Sequence, residues 1–218
     1  MALELGIHHY AEAFCLVAGL FFIRKWRHTY MQWFVPFVAA ILFIELLSNY
    51  LHTSYRYPTL WLSELANALS CGFYAFLFYQ VYRSARWRRL LMVTMLLYLL
   101  LCGAAWLIFG LDKIFTITIV VGGILQIVCS GALFYQCLLD DEEFLSRQMI
   151  SHLFMAAGIL IFYAGIEIVI AAIPYIRENN LQLLGKPMYN TIPRLLSAIM
   201  YPCFCIAFYL WEPPQKRT

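Results

Sequence analysis

The sequence predicts an all-α integral membrane protein, a single bundle of seven transmembrane helices formed by residues 1–218. Three observations predict this fold class. Hydrophobic residues make up 63% of the chain and charged residues only 12%, far from the balance of a water-soluble domain. The apolar residues form seven stretches of about 20 residues, the length that crosses a bilayer as a helix. Basic residues concentrate in alternate connections between these stretches.

Each span is bounded by charged residues or proline. The first lacks the basic start and small-residue cleavage site of a signal peptide, so we expect it to remain as a helix. Pro58, Pro174 and Pro187 mark loops or span ends, whereas Pro36 and Pro202 lie inside spans and are expected to bend them. In chain order the spans are predicted at about 5–23, 31–52, 60–82, 90–109, 114–138, 149–172 and 190–211.

The distribution of basic residues predicts the orientation. With the N-terminus outside and the C-terminus inside, ten of the 15 basic residues fall on the inner side and five on the outer side. The inner connections 24–28 and 83–89 dominate this difference. Retinal is not expected as a cofactor, because its Schiff base needs a lysine within a span. The lysines, all in predicted loops, are Lys25, Lys113, Lys186 and Lys216.

Polar residues inside the spans cluster near the outer surface. Glu45 and Asn49 are four residues apart and share one face of the second helix. At 1.5 Å per residue, Glu45 lies roughly 10 Å below His52, within the outer half of the bilayer. Charged residues at such depth usually mark function. We therefore predict an outward-facing pocket that binds a small molecule or ion, with the binding residues Glu45, Asn49, Glu64, Asn67, Glu167 and Arg194.

The number of charges does not decide how the carboxylates of this cluster are neutralised. Four carboxylates face the single guanidinium of Arg194, so the others must be protonated, hydrated or neutralised by a cation. Carboxylates joined by His8, His9 and His52 could bind zinc or another divalent ion. The metal candidates taken from this set and its surroundings are His8, Glu12 and His52. Two plainer interpretations remain. Glu12 and Glu64 could lie in water at the membrane surface, and the polar side chains could simply join helices by hydrogen bonds.

The inner surface offers a possible docking site for a cytosolic or membrane partner. The acidic run of residues 140–143, within the connection 139–147, lies beside the basic loops 24–28 and 83–89. Opposed charges on short loops can orient a partner, although solvated loops would show the same pattern. Nucleic acid is not an expected partner, because the basic residues follow membrane topology.

An asparagine closes the second span, a glutamate in the third span is followed by aromatic residues, and the sixth span contains a Gly-x-Leu-Ile-Tyr-like stretch. The residues of this pattern are Asn49, Glu64, Tyr74, Tyr79, Gly158 and Tyr163. In this pattern the chain resembles a large bacterial group of small seven-span membrane proteins of uncharacterised function, often encoded beside sensor histidine kinases. It departs from the group at His152-Leu153-Phe154, where the group has Phe-Trp. The resemblance implies a signalling context and a bacterial inner-membrane location.

The sequence favours a receptor-like sensory module that relays ligand binding to a separate partner, since no output domain is present. The alternatives are a proton- or cation-coupled small-molecule transporter and a structural subunit of a membrane complex. A metalloenzyme using His8, Glu12, Glu45 and His52 is a further possibility. No catalytic residues are predicted. The absence of a Gly-rich phosphate loop and of a serine nucleophile motif disfavours the common enzyme classes.

Overall fold

The computed structural model describes residues 6–56, 59–110, 116–139 and 147–212, and the statements below refer to these parts. The all-α class and all seven expected helices are confirmed. The helices are α1 (Ile7–Phe22), α2 (Phe34–Tyr55), α3 (Leu60–Val81), α4 (Ala85–Phe109), α5 (Thr116–Leu139), α6 (Arg147–Glu178) and α7 (Met188–Leu210). Two short strands, β1 (Gln182–Leu183) and β2 (Lys186–Pro187), join α6 to α7.

Five of the helices are long and apolar enough to cross a membrane, which makes the chain an integral membrane protein. They are α2 with the turn before it, α4, α5, α6 and α7. The other two differ for visible reasons: α1 has only 16 described residues, and α3 carries the polar side chains of Glu64 and Asn67. On α4, Leu96, Leu97 and Leu100 are each 60% exposed, as suits side chains that contact lipid.

The helices form a bundle in which α7 packs most extensively on α6 and on α1. Two glycines allow the close approach of α6 to α7. A Cβ atom on Gly158 would lie 2.9 Å from the Cβ of Cys203, and one on Gly165 would collide with the side chain of Leu196. Small residues that let helix backbones approach are a common feature of membrane bundles, because dispersion is a main attraction between helices there.

The end of α6 and the start of α4 differ most from the prediction, and the other boundaries are shifted by at most about three residues. Helix α6 continues through Pro174 to Glu178, because a proline within a membrane helix can be accommodated by neighbouring groups. Helix α4 begins at Ala85, so most of the expected loop 83–89 is helical. There Arg88 donates a hydrogen bond from Nε to the carbonyl oxygen of Tyr82. Pro58 and most of the connection 139–147 lie outside the described residues.

The hairpin between α6 and α7 was not expected from the sequence. Its two strands pair antiparallel, with Leu183 opposite Lys186. The two residues between them, Leu184 and Gly185, have φ angles of 56° and 70°. Positive φ at both central positions defines the tight turn that matches strand twist, and glycine adopts it without strain.

Aromatic side chains fill the end of the bundle opposite the start of α1. We call this the aromatic end and define it by five fully buried residues. Phe34 is central, because its ring lies 5.0 Å from that of Phe204 and 4.9 Å from that of Phe208. Such edge-on ring contacts add to the packing of a core. The five residues are Trp26, Phe34, Phe204, Phe208 and Trp211.

Candidate functional site

A cavity of about 760 Å³ lies at the end of the bundle where α1, α3 and α7 begin and α2 ends. We call this the cavity end. On α3 its lining extends from Leu60 to Tyr74, a depth of roughly 20 Å along the helix axis. Exposed residues at the rim, including His52 and Ser63, show that the cavity opens to the surface. Its volume is that of a typical small-molecule site.

Four of the six predicted binding residues line this cavity. Glu45 and Asn49 come from α2, Asn67 from α3 and Arg194 from α7. The four-residue spacing on α2 places both of its side chains on the cavity face, as expected for a helix. Three helices therefore contribute polar groups to one space.

Glu64 lies elsewhere. Its side chain is 5% exposed, is not among those that line the cavity, and accepts a hydrogen bond of 2.9 Å from the hydroxyl of Thr118 on α5. Residues three apart on a helix are separated by about 60° around its axis, which is enough to place Glu64 and Asn67 on different surfaces of α3. Within the described residues, Glu64 thus joins α3 to α5 by a hydrogen bond.

Glu167 is also outside the cavity lining. Its carboxylate covers Gly123 of α5, where a Cβ atom would collide with Glu167 Oε1. That oxygen is buried and has no hydrogen-bond partner among the described residues. The Glu167 carboxylate occupies the space that a side chain at position 123 would need, which explains why residue 123 is glycine.

Arg194 supplies positive charge at the rim. Its side chain is exposed, and no ion pair joins it to an acidic side chain in the described parts of the chain. The guanidinium reaches towards the start of α1, since a Cβ atom on Gly6 would lie 3.7 Å from its Nη1. It interacts electrostatically with His8, His9 and Glu45. A guanidinium so placed is suited to an anionic group of a ligand.

Two histidines of α1 meet the carboxylate of Glu45. The distances to Glu45 Oε2 are 3.5 Å from His8 Nε2 and 3.9 Å from His9 Nε2. The two imidazole centroids are 3.8 Å apart. His9 Nδ1 accepts a hydrogen bond of 3.1 Å from the backbone N–H of Gly6, which caps the helix.

The sequence prediction of a metal site chose partly different residues. Candidate ligand atoms of His8, His9 and Glu45 lie within 4.8 Å of one another. His52 lines the same cavity but is not in this group. His9, expected from the sequence as one of the histidines that could join carboxylates around zinc, is in it.

Glu12 lies behind this group and is fully buried. Neither carboxyl oxygen has a hydrogen-bond partner among the described residues. The carboxyl of Glu45 and the hydroxyl of Tyr201 are among its polar neighbours. The interpretation that Glu12 and Glu64 lie in plain water is therefore wrong, because both are enclosed by protein.

Tyrosine side chains and Met200 close the end of the cavity that lies farthest from its opening. The hydroxyl of Tyr74 lies 3.9 Å from the sulfur of Met200, and the ring of Tyr74 packs edge-on against that of Tyr163. Tyr201 is also buried there, with 4% of its side chain exposed. Beyond these residues the aromatic end begins, so the described helices close the cavity on that side.

Comparison with protein-family models, with curated proteins and with solved structures gave no match.

Side chains at the opposite end of the bundle fix the helix termini. Lys25 Nζ donates a hydrogen bond of 3.0 Å to the carbonyl oxygen of Tyr209, near the end of α7. Arg147 Nη1 forms an ion pair of 2.8 Å with Glu212. Lysine near a helix C-terminus is favoured by unpaired carbonyl groups and by the helix dipole. The acidic residues 140–143 lie outside the described residues.

Proposed function

We propose that the chain is a receptor-like sensory membrane module with seven spans, its N-terminus outside the cell and its C-terminus inside. A small molecule with an anionic group enters the cavity from the exterior and pairs with Arg194. Amide groups of Asn49 and Asn67 orient it by hydrogen bonds. The observation that carries the proposal is the deep cavity, lined by polar groups of α2, α3 and α7 in a chain that is otherwise strongly apolar.

Charge distribution supports an anionic or zwitterionic ligand. Arg194 has no ion-pair partner among the described acidic residues, whereas Glu45 lies deeper, against two histidines. A ligand with a carboxylate or phosphate satisfies the guanidinium through paired hydrogen bonds. Aromatic side chains deeper in the cavity, such as Phe162 and Tyr163, suit an apolar body.

The proposed signal passes to a separate partner at the inner surface, formed by 24–28, 83–89 and 139–147. Ligand binding shifts helix packing, since a ligand stabilises the conformation that it binds best. Lys25 binds the end of α7, and Arg147 binds Glu212 just beyond it; α7 also carries Arg194. The resemblance to seven-span proteins encoded beside sensor kinases agrees with this output. Transport is less favoured, because Tyr74 and the aromatic end separate the cavity from the opposite surface.

Cysteine labelling tests the site and the orientation together. Ser197 lines the cavity, and none of the native cysteines does. Spheroplasts that produce Ser197→Cys are treated with a membrane-impermeant maleimide, and we expect labelling from the outer side. Small carboxylates, phosphates and amino acids are then added as competitors. At least one should slow labelling, and Arg194→Gln introduced into the same variant should remove that protection.

The matched control is Ser130→Cys, because Ser130 is fully buried in α5 and is not among the residues that line the cavity. It should remain unlabelled. Labelling of Ser197→Cys only in inside-out vesicles would reverse the proposed orientation. Protection that persists after Arg194→Gln, or no protection by any competitor, would contradict anion binding at this site. Accumulation of the protecting compound in proteoliposomes would favour a transporter.

A further inference from the structure

The two histidines at the start of α1 converge on Glu45 in an arrangement that suits a metal ion. Consecutive residues of a helix point about 100° apart, yet the imidazole rings of His8 and His9 approach to 3.8 Å between centroids. Their Nε2 atoms lie 3.5 and 3.9 Å from Glu45 Oε2. Ligand atoms around a tetrahedral ion at 2.0–2.2 Å lie roughly 3.3–3.6 Å apart. All three candidate ligand atoms lie within 4.8 Å of one another, so a bound ion would draw them somewhat closer together.

Buried oxygens without partners provide a second, independent observation. Both carboxyl oxygens of Glu12 and Oε2 of Glu45 are buried without a hydrogen-bond partner in the described parts of the chain. Buried polar atoms normally have partners, and buried charges are paired or coordinate a metal. Arg194 is exposed at the rim and has no ion pair with the described carboxylates. The basic groups that directly face Glu45 are the imidazoles of His8 and His9, which are also metal ligands. A divalent cation held there would neutralise the charge of Glu45 and Glu12.

The donor set identifies the class of ion. Two imidazole nitrogens and one carboxylate oxygen suit zinc and related first-row transition metals, whereas magnesium and calcium prefer sites made wholly of oxygen. Three protein ligands leave a fourth position open. Here His8, His9 and Glu45 all line the cavity, so the open position faces it. A ligand or a water molecule can complete the tetrahedron there.

Glu12 is suited to support the ligands from behind. It is fully buried and its carboxyl neighbours that of Glu45, with which it interacts electrostatically. Carboxylates behind a metal ligand orient that ligand and strengthen binding.

Binding would also change the start of α1. His9 Nδ1 accepts the N–H of Gly6, so a neutral ring carries its proton on Nε2. Coordination through Nε2 requires the proton on Nδ1 instead, and the bond to Gly6 must break. The metal site is thereby coupled to the N-terminal cap of a helix that packs on α7.

We infer that His8, His9 and Glu45 form a binding site for a zinc-like divalent cation in the cavity wall, with Glu12 supporting Glu45. The biological role of the ion rests on the proposed function, because the ion would complete the same ligand-binding cavity. Metal binding is measured without an organic ligand, so the metal site and the small-molecule site can each fail while the other holds.

Calorimetry and metal analysis on the full chain test the site. Tag-free protein in nanodiscs is stripped with chelator and titrated with Zn²⁺ alone. We expect about one Zn²⁺ per chain, and a large excess of Mg²⁺ should not compete. Glu45→Gln and His8→Asn each remove a ligand and should weaken binding more than roughly 100-fold. Glu12→Gln removes a supporting group and should weaken it by roughly 10–100-fold.

His52→Asn is the matched control, because His52 lines the same cavity outside the ligand group. It should bind Zn²⁺ as the unaltered chain does. Circular dichroism checks that every variant is folded, and His9→Asn replaces any variant that is not. The site is disproved if the unaltered chain binds no Zn²⁺, if His52→Asn loses as much affinity as His8→Asn, or if Mg²⁺ competes equally. If Zn²⁺ binds as expected while no competitor protects Ser197→Cys, the metal site stands and the proposed small-molecule site fails.

Discussion

The two ends of the bundle are built from the same helices and differ in what fills the space between them. At the aromatic end, α1, α2 and α7 are separated by large rings, with Phe34 and Phe204 fully buried. At the cavity end these helices and α3 carry short polar side chains such as Ser48, Asn49 and Ser197, which leave open space between the helices. The same helices therefore produce a packed core at one end and a cavity of about 760 Å³ at the other.

This difference suggests that one end of the bundle determines stability and the other determines binding. Close packing supplies most of the attraction between helices in a membrane, where apolar burial contributes little. We therefore expect the aromatic end and the α6–α7 contact to hold the fold. Residues of the cavity end should tolerate substitution without loss of the fold, because few atoms press on them. Mutations can test that division.

Phe34→Ala should have the largest effect on stability. Its ring is fully buried and lies within 4.9–6.0 Å of the rings of Phe37, Phe73, Phe204 and Phe208. Removing a buried phenylalanine ring leaves a void and typically costs about 3–5 kcal/mol. Unfolding by detergent titration measures the loss.

The matched control for this substitution is Phe14→Ala on α1, where the ring is 64% exposed. Its loss should be below about 0.5 kcal/mol. If the two variants lost similar stability, the aromatic end would not be the part that holds the helices together.

Gly158→Ala should have a smaller but clear effect. An added methyl group would lie 2.9 Å from the Cβ of Cys203 and 3.2 Å from the backbone oxygen of Met200, and α6 and α7 would have to separate. Overpacking of this kind costs about 1–3 kcal/mol. Thermal denaturation of the solubilised protein measures it.

Gly131→Ala on α5 is the comparison, because no described atom of another helix lies within 4 Å of the position that its methyl group would occupy. Alanine favours a helix over glycine by up to about 1 kcal/mol, so this variant should be unchanged or more stable. Equal destabilisation of both variants would mean that close approach at Gly158 is unimportant.

Thr118→Val should have the smallest effect on stability of the three substitutions. It also tests whether Glu64 is a contact between helices or part of the binding site. It removes the hydroxyl that donates to Glu64, and hydrogen bonds between membrane helices average about 0.6 kcal/mol. Competitor protection of Ser197→Cys should be unchanged, both here and in Glu64→Gln. Lost protection in either variant would return Glu64 to the binding site.

Thr94→Val is the control for the threonine substitution. Among the described residues, the Thr94 hydroxyl donates within its own helix alone, to the carbonyl oxygens of Leu90 and Leu91. Because no contact between helices is removed, the free energy of unfolding should stay within about 0.5 kcal/mol of that of the unaltered chain.

The sequence predicted the helices well because apolar length is a direct signal of a membrane helix. The errors in the predicted helix boundaries came from residues that occur both inside helices and in loops. Pro174 can end a helix in water but lies inside α6, and the arginines after Ser84 belong to the first turns of α4 rather than to a loop.

The site was harder to predict than the helices. Spacing placed Glu45 and Asn49 together correctly, since residues four apart share a helix face. Spacing could not tell which neighbour each face meets, because every face of these helices is largely apolar. Glu64 and Glu167 therefore stayed in the predicted set although each contacts α5. Pairs such as His9 and Glu45 come from different helices, and only the packing of α1 on α2 brings them together.

The short turn at Leu184 and Gly185 has a mechanical consequence for the whole bundle. It ties the end of α6 to the start of α7, where Thr191 also donates to the carbonyl oxygen of Leu183. Because α6 and α7 also contact closely at Gly158 and Gly165, we expect these two helices to move together. A wider mouth would then require displacement of α1, α2 or α3, which also line the cavity, and spectroscopic labels on these helices would report the movement.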